Sequence, residues 1–161
     1  QGVVRSGSET PILVIGNNKT KYGQKLTAKY SAYPHIRFIG AFYNLQHLNN
    51  LRYYSNIYFH GHSVGGTNPS LLEAMASNAL IAAHNNDFNK GVLKDNAFYF
   101  RNPDEVKDLL LTVRKQDHMP LVQSNFNVIV NDFNWEKING DYLRLFEECM
   151  EKKMGVAKAK S

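Results

Sequence analysis

Short apolar runs alternate with helical apolar spacing along this chain. Residues 12–15, 36–39, 57–59, 80–83 and 97–100 are short, largely apolar runs, most of them bounded by glycine, asparagine or histidine. That is the pattern of strands buried on both faces. Helical spacing fills the intervals. Residues 21–32 place Tyr22, Leu26 and Tyr30 on one face, and Leu45, Leu48 and Leu51 mark a shorter helix. Asn68 as cap and Pro69 at the first helical position open a helix over 69–77. Asn102, Pro103 and Glu105 form a capping box that starts a helix running to about Lys115. Pro120 starts the next, with Val122, Phe126, Ile129 and Val130. Asn134 caps the last, whose stripe is Trp135, Ile138, Tyr142, Leu145, Phe146 and Cys149. Residues 84–89 read as an asparagine-rich loop. Strands alternating with helices predict an α/β fold, a Rossmann-like parallel sheet with helices on both faces. Residues 11–150 are expected to form its domain, after a lead-in over 1–10 that looks like an element cut mid-helix. Residues 151–161 read as a disordered basic tail.

Composition narrows the class without naming it. The chain has 161 residues, 43% hydrophobic and 20% charged, enough for one domain with a real core. No apolar run approaches the ~20 residues of a membrane span, and the first residues carry no secretory signal. The single cysteine, Cys149, excludes an internal disulfide framework and suits a reducing cytoplasm. Its place on the last helix's apolar stripe predicts burial. The net charge of +5 favours anionic partners, such as phosphates or the lipid surface of an inner membrane face. Most of the lysines are accounted for by solvated helix faces. Nucleic acid is not expected, because no recognition motif occurs and basic residues do not interleave with aromatics.

The candidate chemistry centres on residues 56–77. A strand, a glycine-rich loop (Gly61, Gly65, Gly66) and a capped helix start form a place for an anion, with Glu73 one turn into the helix. Neither a G-x-G-x-x-G fingerprint nor a P-loop is present. In an open parallel sheet the ligand sits at the strands' carboxyl ends, here the loops 16–23, 40–43, 60–68 and 84–89. Gly61-His62-Ser63-Val64-Gly65 also matches the G-x-S-x-G elbow of serine hydrolases. Against that reading, the helix starts well after Ser63 and no oxyanion motif precedes His60. His60, His62 and His84 lack a cysteine or carboxylate at ligand spacing, so no metal is expected.

These elements resemble the C-terminal half of GT-B glycosyltransferases of family four. The residues that carry the resemblance are Arg37-FI-Gly40, Pro69-SLLEAMASNALIAA-His84 and Phe133-NWEKINGDYLRL-Phe146. HGHSVGGTNPSLLEAM looks most like the bacterial polysaccharide rhamnosyltransferases of that family. The resemblance runs from about Ile12 to Glu148. It implies transfer of a sugar, for instance rhamnose, from a nucleotide-diphospho-sugar to a glycan or lipid-linked acceptor, without a cofactor. It also implies a deoxythymidine nucleotide in preference to a uridine one. By the same resemblance Glu73 binds the ribose hydroxyls, and His62, Gly65, Gly66, Thr67, Asn68 and Ser70 surround the diphosphate and sugar. Gly16 belongs to the same donor-binding set, and Phe42 or Tyr43 borders the base. The family's other glutamate, eight positions before Glu73, falls on Gly65, so its contact to the hexose is absent or supplied elsewhere. The N-terminal acceptor domain of that architecture has no counterpart in these residues, which implies that they alone do not transfer sugar. A serine hydrolase built on Ser63 and a non-catalytic nucleotide- or glycan-binding module stand as alternatives.

Overall fold

The computed structural model of the chain describes residues 1–158. Its element order is α1 (Gly2–Ser6), β1 (Ile12–Ile15), α2 (Lys21–Lys29), β2 (Ile36–Gly40), α3 (Leu45–Tyr54), β3 (Tyr58–His60), α4 (Pro69–Ala76), β4 (Ile81–His84), α5 (Asp87–Leu93), β5 (Phe98–Phe100), α6 (Pro103–Thr112), a 3-10 turn (Lys115–His118), α7 (Met119–Asp132) and α8 (Trp135–Lys158). This is a mixed α/β fold with parallel strands and flanking helices. The expected strands are all present, displaced at their ends by a residue or so.

The sheet differs from the expectation. The strands form two parallel sheets, β1–β2 and β3–β4–β5, with no ladder between them. Among the described residues β4 is the one strand paired on both sides, and Ile81, Ala82 and Ala83 on it are fully buried. β1 and β2 bury less: Leu13, Ile15 and Ile39 remain exposed. A strand loses its solvent contact only when both edges and both faces are covered. The outer edges of β1 and β3 have no described strand beside them.

The main core lies around β4. Leu71, Ala74 and Met75 of α4 pack with Ala79, Ile81, Ala83, Val92 and Leu93. A second cluster joins Leu80, Val113 and Val122. The caps follow the sequence: Thr20, Asn44, Asn68 and Asn102 each accept a backbone N–H of the helix they start. At α6 Glu105 reaches back past the cap, accepting the N–H of Arg101 at 2.6 Å and the Asn102 side-chain amide at 2.9 Å.

Further expectations need correction. The asparagine-rich loop contains α5, capped by Asn86, which accepts from the Asn89 N–H. Asparagine and glycine in so short a segment mask a helix whose stability comes from burying Val92 and Leu93. The helix expected to run to Lys115 ends at Thr112, where buried Val113 turns to an extended conformation. Cys149 is exposed, not buried. The stripe it shares with Tyr142, Leu145 and Phe146 stays largely exposed among the described residues, and α8 makes its main contact with α7. α8 itself continues to Lys158, through most of the segment read as a tail, and 159–161 lie outside the described residues. No helix among the described residues is long and apolar enough to cross a membrane.

Candidate functional site

The carboxyl ends of β3 and β4 bring several of the expected residues together. β3 ends in His60, which is 1% exposed. Its ring stacks on His62 at 4.6 Å between centroids and 27° between planes. Neither ring nitrogen of His60 has a hydrogen-bond partner. Burial, with the neighbouring His62 adding to it, pushes the His60 pKa down to about 4. His60 is therefore neutral at pH 7.

The loop that follows is held from below by asparagine side chains. Asn86 and Asn89 both donate to the carbonyl of His62, at 3.0 and 3.2 Å. Asn89, itself 5% exposed, also donates to the His84 carbonyl at 2.8 Å. The asparagines thus tie the loop to the end of β4 and the start of α5. From the sequence they read as part of an asparagine-rich loop; here they position His62. Beyond that tie, none of the backbone N–H groups of residues 62–68 donates to another described residue. Gly65 has φ +116°, which L side chains rarely adopt, and a Cβ there would meet open space. Backbone conformation therefore accounts for glycine at 65.

α4 begins at the end of this loop. Asn68 accepts both the N–H and the hydroxyl of Ser70, at 3.0 and 2.8 Å. The first free donor of α4 is thus already capped, and the unpartnered N–H groups belong to the loop before it. Glu73 is held from the side by a residue that sequence reading missed. Arg52, on α3 and 5% exposed, donates to the Glu73 carboxylate at 2.7 Å and to Asn49 at 3.0 Å. The guanidinium also lies over the Tyr58 ring, 5.9 Å from its centroid. Glu73 is 42% exposed, so one face of its carboxylate stays open to solvent. An arginine near the end of an ordinary helix gives no sequence signal of burial; only the packing of α3 on α4 creates it.

The remaining expected residues are not joined to this cluster. Gly16 donates to the Gly40 carbonyl at 2.9 Å and belongs to the β1–β2 pair. Phe42 packs near His47, and Tyr43 is 92% exposed. No hydrogen bond or aromatic pair links these three to residues 60–73. Thr67 sits in the loop without a side-chain partner among the described residues. The Ser63 hydroxyl makes no hydrogen bond to a histidine, so no nucleophile–base pair is formed. No group of three or more His, Cys, Asp or Glu side chains that could hold a metal occurs among the described residues.

Fold and site together define a mixed α/β protein with a glycine-rich loop at the carboxyl end of a parallel sheet. No protein-family model matches the chain, and no curated protein matches it.

Proposed function

We propose that this chain is the donor-binding part of a glycosyltransferase, taking a nucleotide-diphospho-sugar at the carboxyl ends of β3 and β4. The observation that carries the reading is the 62–68 loop. Its run of unpartnered N–H groups precedes α4, and Glu73 follows one turn later, fixed by a buried arginine. Backbone N–H groups are suited to a diphosphate, which gains negative charge as the sugar leaves. A half-exposed carboxylate is suited to vicinal ribose hydroxyls. In a Rossmann-like sheet of the GT-B kind, this is the end at which the donor binds. His62, held by Asn86 and Asn89, is suited to donate to the sugar or phosphate. The acceptor, glycan or lipid-linked, would be presented by a second domain, since orienting both reactants can be worth ~7–11 kcal/mol of the barrier.

Calorimetric titration with deoxythymidine and uridine diphosphates and their sugar conjugates tests this. Binding is expected, with the deoxythymidine series tighter. Glu73→Gln keeps a hydrogen bond to Arg52 but loses the charge, and should weaken binding by about 1.5 kcal/mol, roughly tenfold. Equal affinity in parent and variant removes Glu73 from the site, and absence of any nucleotide binding overturns the reading.

Gly65 favours one second reading, a nucleotide-binding module without turnover, because it offers no carboxylate to the hexose. Slow release of sugar from a bound conjugate would argue for the enzyme; indefinite retention of intact conjugate would argue for the module.

A further inference from the structure

A cavity lies at the other end of the sheet. It measures about 630 Å³, within the usual range of small-molecule sites. Ser55 and Asn56, just before β3, and Asn78, before β4, form part of its wall. β3 and β4 are three and four residues long, so this groove and the glycine-rich loop are separated by roughly 10–13 Å of strand. The remaining wall is Tyr53, Tyr54, Arg114, Lys115 and their neighbours.

The groove combines cations, aromatic rings and no carboxylate. Neither Arg114 nor Lys115 has an ion-pair partner among the described residues. Both are anchored, Arg114 through a guanidinium nitrogen that donates to the Val113 carbonyl at 3.0 Å. Asn56 donates to the Val113 carbonyl at 2.9 Å and accepts the Lys115 N–H at 2.9 Å, stapling this segment to the start of β3. The Lys115 ammonium donates to the Tyr53 carbonyl and lies 4.8 Å from the centre of its ring. Burial lowers the Lys115 pKa, the mark of an ammonium drawn partly out of water without a counter-charge. Tyr53 and Tyr54 meet edge to face at 5.0 Å, and Tyr54 is 82% exposed. Asp117 follows in the same 3-10 turn but does not line the cavity.

Two fixed, uncompensated cations select an anion. A fixed guanidinium beside an ammonium suits the several oxygens of a phosphate. The tyrosine pair and Met119 offer a flat, partly apolar surface next to it. We propose that this groove is a second binding site, for a phosphate-bearing ligand whose apolar or ring portion lies against Tyr53 and Tyr54. It stands independently of the function assigned to the 62–68 loop.

The test follows amide shifts of the isotope-labelled chain during titration with sodium pyrophosphate at fixed ionic strength. A parallel arm measures flotation with vesicles of phosphatidylglycerol in phosphatidylcholine. Saturable shifts are expected at Ser55, Asn56, Lys115 and Gln116, or co-flotation with the anionic vesicles. Pyrophosphate binding alone identifies a soluble phosphate ligand, and vesicle binding alone that depends on Tyr54 identifies a lipid headgroup. Arg114→Gln combined with Lys115→Gln should cut affinity at least tenfold in whichever arm responds. Tyr54→Glu, at an exposed position that carries no fold, should weaken it through charge repulsion and guards against misfolding of the double variant. The proposal is overturned if neither probe binds, if pyrophosphate shifts are confined to residues 62–68, or if Tyr54→Glu binds as tightly as the parent chain.

Discussion

His60 and Glu73 show opposite ways of holding a polar group inside a protein. His60 is buried neutral, with no partner for either ring nitrogen. Its folded pKa, about 4, lies below the unfolded value of 6.5. Between those values the unfolded chain binds the extra proton, so stability is complete above pH 6.5 and falls as pH drops toward 4. The loss is on the order of 3 kcal/mol for this one group. His60→Phe should flatten that part of the stability–pH curve, as read by urea unfolding of both proteins from pH 7 to pH 4. Parallel curves would show that His60 is not buried neutral. Glu73 is instead charged and paired. Glu73→Ala leaves the Arg52 guanidinium buried without its counter-charge and should cost about 1–3 kcal/mol. Arg52→Met leaves a half-exposed carboxylate that water can reach, and should cost less. Denaturant midpoints of the two variants decide the order.

At the scale of elements, the tie between α5 and the glycine-rich loop is the contact on which the candidate site depends. Asn89 supplies donors to two carbonyls, His62 and His84, from a buried position. Asn89→Ala removes both and leaves those carbonyls to Asn86 or to water. The expected cost is about 1–3 kcal/mol in stability, with larger fast motion of residues 62–68 by amide relaxation. A loop as ordered as in the parent would mean that Asn86 alone holds it. Asn89 is also where sequence reading was weakest. The same residue types that form turns form caps and clamps, and the spacing of Asn86 and Asn89 distinguishes them only once α5 is known to exist.

Across the whole molecule, burial is uneven. Leu71→Ala, within the main core, is expected to cost about 2–5 kcal/mol. Phe146→Ser on α8 should change stability by less than about 0.5 kcal/mol, because its ring is already 59% exposed. Thermal or urea unfolding of the two variants checks the contrast. Cys149 should react with a maleimide in the folded chain about as fast as in the denatured one. Protection of Cys149 in the native chain would show that something covers the α8 stripe in solution.

The sequence by itself determined the order of the strands and of the helices other than α5, the caps at Asn68, Asn102 and Asn134, and the glycine-rich loop leading into a helix. These are local properties, set by apolar spacing and by the few residue types that can cap or turn a backbone. It also singled out most of the residues gathered near that loop. Tertiary structure alone decided which of them meet. Arg52 reaches Glu73 because α3 packs on α4, and Asn56 ties Val113 and Lys115 to the start of β3 across a long stretch of sequence. Tertiary structure also divided the strands into two sheets and left the α8 stripe uncovered. An apolar stripe reports that a face can be buried. Whether it is buried depends on what surface lies opposite, and no spacing along one chain encodes that.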